Sequence, residues 1–528
     1  MNKKIEKIKA FGNRHVNEKL FVVLFMMIPV FYLLERLVCS VYDSDMYFLI
    51  ATGREILQNG IPHTNIWTID SSSSIVIQQW LYDVVLAVVD RFGHAGFSLF
   101  VLTEFVVFSV IWVYFFSLKH VSKSLSFFIL IMVSMFTQAY LFSTRPQLIT
   151  MILIMTSCIA IEKFRQTNKY TWLALLPILS CLEMQFHASM WSLHFAIVLA
   201  YIVPAFYARF FIKDLEYDSL HKQWKAIGIT CVAMFLSLFI NPYGADGVFY
   251  IIKSFKAHTF DYVAVFEVQS PTFLSTGGAV IIVCCVLFFV SYRMKTVSST
   301  TINITIGFVF LMTMAFRNNT CSIFVAAFVM RDIAVFIGSN NVTINWKKDL
   351  NLSTLLFVLF ADLIFITNFT GSCYSVFVDN GTISELDIVA NAINDDYDES
   401  MRIFTGFNTG AYFEYKGFKN IYMDARPELY TSEFTGDKNI LADYSTYCIY
   451  GYDMRGHIPS VLSSDRVHVG APVTQDNMHE WLSEYGFDYI IADFLAEPFL
   501  SAYLLNCDDY EIIESENIQQ YNLYKRIR

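Results

Sequence analysis

The sequence predicts an all-α polytopic membrane domain of about eleven transmembrane helices over residues 1–371, followed by a small soluble α/β domain over residues 372–528. Three observations carry this expectation. Charged residues make up only 16% of the chain and hydrophobic residues 55%, whereas soluble domains run near 25% charged. The charge is unevenly spread, because residues 20–371 hold long apolar runs while residues 372–528 have an ordinary soluble composition. The lysines and arginines between the runs alternate in density, as they do in loops on opposite sides of a membrane.

A spanning helix needs about 20 predominantly apolar residues. Runs of that kind lie near residues 20–41, 96–118, 124–142, 147–164, 170–186, 188–210, 225–240, 276–292, 301–316, 320–338 and 351–371. The first follows a basic N-terminus. It has no small-residue cleavage site and leads into Glu35 and Arg36, so it reads as a membrane helix and not as a removed leader.

With the N-terminus in the cytoplasm, the inside segments carry about 20 lysines and arginines and the outside segments before residue 372 about seven. An odd number of spans then puts residues 372–528 beyond the plasma membrane. The net charge of −10 offers no basic face to phosphate and excludes a nucleic-acid partner. Six cysteines (Cys158, Cys181, Cys231, Cys284, Cys285 and Cys321) lie in or beside apolar spans, where cysteine behaves as a small hydrophobe. Cys373, Cys448 and Cys507 fall in the soluble part, an odd trio that leaves a free thiol or an intermolecular bond. No CxxC pair suggests zinc.

Two outer loops are long. Residues 42–95 hold an amphipathic stretch from Met46 to Leu57, a turn at Gly60-Ile61-Pro62 and a second helical stretch from Gln79 to Phe92. Residues 241–275 open with Asn241-Pro242-Tyr243-Gly244 and continue with a helix over Val248 to Phe255. Such helices lie along a membrane surface. In the tail, Ser384–Asn394, Met478–Tyr485 and Pro498–Leu505 read as helices, and Arg402–Thr405, Asn420–Asp424 and Asp488–Asp493 as strands. Tyr510–Glu514 and Gln519–Lys525 read as a closing hairpin, the alternation expected of an α/β layer.

The polar residues with no evident structural task gather on the outer side: Asp43, Asp45, Gln78, Gln79, Arg145, Gln147, Glu183, Gln185, His187, Asn241, Glu267, Arg317 and Asn318. Ionisable groups at membrane depth are costly and face a cavity or a partner, so these predict one outward-facing polar cleft. Asp43 and Asp45 repel one another, which raises the pKa of one of them. That suits a general base toward an acceptor hydroxyl, or the pair could hold a divalent cation with a phosphate; solvated loop acids are the plain alternative.

Arg145 precedes Pro146 at the start of a span, where a guanidinium can fork onto a phosphate or snorkel to the headgroups. Arg317 allows the same two readings. Glu183 and His187 are four apart and share a face if the helix persists, as a polar lining more than as a metal site. His194 reads as a hydrogen-bonded core histidine. Asp424 and Arg426 lie at the end of a predicted strand, the binding edge of an α/β sheet, and are either substrate contacts or a structural pair.

Asp43-x-Asp45, Ala51-Thr52-Gly53-Arg54, Gly60-Ile61-Pro62 and Gln79-Trp80-Leu81 resemble the first outer loop of a bacterial family of GT-C type glycosyltransferase-like membrane proteins. The resemblance continues through Arg145-Pro146-Gln147, His187, Asn241-Pro242-Tyr243-Gly244, Glu267 to Pro271, and Gly410, Asp424, Arg426 and Tyr430. It implies a GT-C fold that takes a sugar from a polyprenyl-phosphate-linked donor and passes it to an extracytoplasmic glycan, lipid or protein acceptor. Asp43 or Asp45 would be the base or metal-organising acid.

Two departures stand out: Leu49 replaces the family's histidine, and Tyr47-Phe48 replaces its two tryptophans. They keep open a catalytically inactive envelope-assembly protein. A transporter or flippase for a lipid-linked glycan is the other alternative. It calls for internal repeats and polar residues on both sides of the midplane, neither of which is evident.

Overall fold

The computed structural model describes residues 18–39, 44–69, 73–136, 142–210, 223–256, 270–272, 274–339, 352–377, 381–436, 438–453, 471–513 and 520–527. Asp43 and Glu267 lie outside them. A helix occurs at each of the eleven expected span positions: α1 Glu18–Cys39, then, after α2 Asp45–Asn59 and α3 Trp80–Val89, α4 Gly93–Ser117, α5 Lys123–Phe136, α6 Gln147–Thr167, α7 Thr171–Phe186, α8 Ser192–Phe210 and α9 Trp224–Ser237. After α10 Ala245–Lys256 come α11 Thr276–Arg293, α12 Ser299–Met314, α13 Ser322–Ser339 and α14 Leu352–Phe377.

Among the described residues, five helical stretches are long and apolar enough to cross a membrane: Leu20–Cys39, Trp80–Ser117, Gln147–Thr167, Thr276–Arg293 and Phe316–Ser339. Shorter apolar helices occupy the other positions. The last helix runs to Phe377, past the expected boundary at residue 371.

Local chemistry sets several helix ends. Ser275 caps α11 by accepting from Gly278 N–H at 3.1 Å, and Ser298 caps α12 by accepting from Thr301 N–H at 3.2 Å. Pro146 immediately precedes α6, where its missing N–H costs nothing. The bundle is dressed for lipid. In α4 the residues Phe97, Val101, Phe105, Phe108, Trp112 and Phe115 recur at helical spacing and are buried, while Leu99, Val106 and Val110 on the opposite face are exposed. Ile229, Leu236, Phe289, Ile306, Phe310 and Phe360 are exposed on other helices. A water-facing helix would carry polar groups there.

The bundle interior also holds a buried polar knot that sequence patterning missed. Arg331, within the expected span 320–338, is buried and donates to Glu162 at 3.1 Å. Its guanidinium lies 3.9 Å from the Phe115 ring centroid, and Tyr201 O–H also donates to Glu162, at 3.2 Å.

The tail continues with α15 Gly381–Asn394, β1 Ile403–Phe404, α16 Gly410–Lys416, α17 Ser432–Thr435, α18 Ile440–Tyr444, α19 Gln475–Tyr485, β2 Tyr489–Asp493, α20 Pro498–Leu504, β3 Tyr510–Ile513 and β4 Tyr521–Arg526. The sheet order is β1-β2-β4-β3, with β1 parallel to β2 and the other pairs antiparallel. All five positions of β2 are buried. Ile490 and Ala492 face one hydrophobic cluster and Tyr489 and Ile491 the other, the period of two of a central strand covered on both faces.

The expected strand over Asn420–Asp424 does not form. Ile421 makes single bridges to Ile403 and Thr68 only. Asn420 has a left-handed φ of 52°, and the Asp424 carboxylate accepts from Arg426 N–H at 2.7 Å, so side-chain and backbone geometry bend the segment at both ends.

The tail and the first long loop are built into one another. Ile69 N–H donates to the Ile421 carbonyl at 3.0 Å, and Ile421 N–H to that of Trp67 at 3.1 Å. Trp67, Ile75 and Ile77 from the loop, and Tyr250 from α10, share a buried cluster with Phe404, Tyr422, Met423 and Tyr430.

Candidate functional site

The described polar residues that the sequence singles out fall into four bonded groups. The first joins two helix starts. Asp45 is the first residue of α2, and Arg145 stands two residues before α6. Arg145 Nη2 lies 3.1 Å from Asp45 Oδ2, with side chains 11% and 26% exposed. Thr144 O–H, buried beside them, donates to Met46 Sδ at 3.4 Å. The pair is thus fastened at its base and open at its rim. Two helix N-termini face it, and both carry partial positive charge. Gln147, the first residue of α6, has a buried Oε1 with no hydrogen-bond partner among the described residues.

The second group is a buried chain of hydrogen bonds around His187. The helix ends at Phe186, so His187 leaves the face of Glu183, and the two meet instead through Thr150 of α6. Thr150 Oγ1 lies 2.5 Å from Glu183 Oε1 and 2.8 Å from His187 Nδ1. Glu183 Oε2 contacts His194 Nε2 at 3.2 Å, and His194 Nδ1 contacts Ser157 Oγ at 2.9 Å. His194 is the buried, bonded core histidine the sequence suggests. Arg317, exposed at the start of the turn before α13, is among the charges His187 feels.

The third group ties the loops together. Gln185 accepts from Trp80 Nε1 at 3.0 Å and donates to the Ile240 carbonyl at 2.6 Å. Gln78 donates to Glu428 of the tail at 3.2 Å, and Tyr250 O–H does the same at 3.2 Å. The Gln79 carbonyl accepts from Asp83 N–H at 3.0 Å and starts α3. Asn241 spends its amide on its own turn, donating to the Leu238 and Gly244 carbonyls at 2.8 and 2.9 Å and accepting from Tyr243 N–H at 2.8 Å. Tyr243 O–H then reaches the Pro62 carbonyl at 2.9 Å. Two motifs far apart in sequence, Asn241-Pro242-Tyr243-Gly244 and Gly60-Ile61-Pro62, meet there. Asn318 Nδ2 caps the preceding helix through the Leu311 carbonyl at 2.8 Å.

The fourth group is the tail's own. Arg426 Nε donates to both Asp424 oxygens at 3.1 Å, and its Nη2 donates to Glu414 Oε1 at 2.7 Å. The guanidinium carbon lies 5.2 Å from the Phe48 ring centroid and 5.0 Å from that of Trp67. Burial works against the charge of Asp424, but the attraction and hydrogen bonds of Arg426, with Tyr430 and Glu414, hold its carboxyl below the ordinary range. Burial pushes Glu414 well up, against the pull of Arg426. Asp424, Arg426 and Glu414 thus form one buried, mutually bonded cluster.

Tyr47 meets the rings of Tyr412 and Tyr415 edge-on at 5.0 and 5.2 Å, Phe48 lies under Arg426, and Leu49 is buried in the bundle core. Arg54 of the same helix donates to the Tyr415 carbonyl at 2.9 Å and pairs with Asp90.

Among the described residues, no cluster of three or more histidine, cysteine, aspartate or glutamate side chains could hold a metal ion. Sequence reasoning overlooked Thr150, Ser157, Glu414 and Tyr250. Thr150, Ser157 and Tyr250 look like ordinary residues of an apolar or amphipathic helix until neighbouring elements bring partners to them. Compared with known proteins, the chain matches no family model and no curated protein.

Proposed function

We propose that this chain is a multispanning membrane glycosyltransferase, with its tail outside the plasma membrane, that moves a sugar from a polyprenyl-phosphate-linked donor to an extracytoplasmic acceptor. The observation that carries this reading is the Asp45–Arg145 pair, 3.1 Å apart and partly open, at the junction of two helix starts beneath the docked tail. An acid and a guanidinium side by side are what an inverting transfer needs.

The Asp45 carboxylate takes the acceptor's hydroxyl proton while that oxygen attacks the anomeric carbon. The bond from that carbon to the donor phosphate breaks on the opposite face. Arg145 stabilises the charge that develops on the leaving phosphate. Asp43 would be the alternative base, or would share a divalent cation with Asp45. The exposed apolar faces of the bundle helices support a bilayer environment and suit a lipid-linked donor.

The test is purified full-length protein in lipid nanodiscs with labelled polyprenyl-phosphate sugars and outer-envelope acceptors. Turnover that is lost in Asp45→Asn and in Asp43→Asn/Asp45→Asn supports the assignment. Unchanged turnover in the double variant refutes it, and movement of the lipid without transfer would mark a flippase. Adding a chelator reads out the cation.

A further inference from the structure

We propose that Cys39 and Cys373 form a disulfide that clips the first helix of the bundle to the last. Their sulfurs lie 3.4 Å apart although 334 positions separate them in sequence. The approach is not an isolated coincidence of two side chains. α1 and α14 run alongside one another: Phe31 and Phe369 have ring centroids 6.1 Å apart, Tyr32 meets Phe365 edge-on at 6.5 Å, and Ser372 O–H donates to Glu35 at 3.3 Å. From Tyr32–Phe365 through Glu35–Ser372 to Cys39–Cys373 the contacts advance toward the C-terminal end of both helices.

Bond formation requires the sulfurs to close by about 1.4 Å, to the usual disulfide length, which a small rotation of each side chain supplies. Both thiols are half-buried. Ser372, the neighbour of Cys373 in the chain, lines an open groove together with Glu35, Arg36, Thr367 and Asn368.

The chemistry is thiol–disulfide exchange with a small-molecule disulfide of the glutathione type. One cysteine thiolate attacks a sulfur of the oxidant, forming a mixed disulfide and releasing one oxidant thiol. The second cysteine thiolate attacks the cysteine sulfur of that mixed bond and releases the other. One S–S bond forms and one breaks, two electrons pass to the oxidant, and the two cysteine protons end on its thiols.

The bond would close nearly the whole membrane part of the chain into a loop, a strong restriction on the unfolded state. It would also hold together the two helices that lead directly into the Asp45 loop and the tail. The inference rests on the outward placement of the tail, since disulfides persist in an oxidising compartment, but not on sugar transfer.

The experiment uses membranes carrying the full-length protein, with free thiols blocked by an alkylating agent before proteolysis and mass spectrometry. The expected product is a linked peptide pair containing Cys39 and Cys373 that disappears on reduction and is absent from Cys39→Ser and Cys373→Ser. Reduction should lower the unfolding temperature of the parent and leave that of the double serine variant unchanged. Finding both cysteines alkylated in unreduced membranes, and still unlinked after purified protein is treated with oxidised glutathione, overturns the proposal. Impermeant labelling of the tail in the same membranes separates a wrong orientation from a wrong pairing.

Discussion

Gly53 of α2 faces the main-chain carbonyl of Asp83 in α3 with no room between them for a Cβ. The two helices of the first long loop therefore pack backbone against backbone, and the glycine of Ala51-Thr52-Gly53-Arg54 has a physical reason to be there. Gly53→Ala must push the helices apart, at a cost of about 1–3 kcal/mol or more. Gly228, inside α9, has open space around its Cβ position, and alanine there should be neutral or slightly stabilising. Thermal unfolding of the two variants side by side checks the contrast.

Arg426 is the next test. Replacing it with Met keeps much of the apolar stem against Phe48 and Trp67 but leaves Asp424 and Glu414 buried without their cation. Breaking a buried ion pair from one side costs roughly 3–5 kcal/mol. The tail should loosen from the loop, and limited proteolysis of the full-length protein should cut more readily on either side of Trp67. A parental digestion pattern in Arg426→Met would show that the cation does not hold the interface.

Glu497 gives the tail a pH dependence. Burial raises its pKa to about 8, against the Asp493 N–H and Tyr444 O–H that hydrogen-bond its carboxylate. In the unfolded chain the same group titrates near 4.5. Between these values the folded tail holds one proton more than the unfolded chain, so stability falls as pH rises. The contribution is complete below pH 4.5 and gone above about pH 8. Its span is on the order of 5 kcal/mol. Unfolding temperature followed by Trp481 fluorescence should decline across this window in the parent. Glu497→Gln should flatten the decline.

Arg145→Lys keeps the charge beside Asp45 but loses the planar fork. Under the proposed mechanism turnover should fall by about 10²-fold or more, with the acceptor's KM little changed. Kinetics with varied donor and acceptor would read this split. An equal loss in Arg145→Lys and Arg145→Ala would say that the fork, and not the charge, carries the effect.

The helical bundle was legible because hydrophobic runs report burial in lipid or core without reference to any partner. The tail's central strand was legible for a related reason: Tyr489–Ala492 is apolar on both faces because both are covered. Asn420–Asp424 has a similarly apolar look, yet Asn420 and Asp424 bend it, since composition does not reveal a left-handed φ or a side chain turned back on the main chain.

By itself the sequence determined the mostly helical membrane-type domain and the small α/β tail, since these follow from periodicity and the cost of polar groups among apolar ones. Only the tertiary structure decided which polar residues meet. It set Asp45 against Arg145, joined His187 to Glu183 through Thr150, gave Arg426 two carboxylates and two aromatic faces, and brought Cys373 to Cys39. Those pairings span tens to hundreds of residues, and hydrogen bonds and ion pairs depend on angles and distances of a few ångströms that no local pattern encodes.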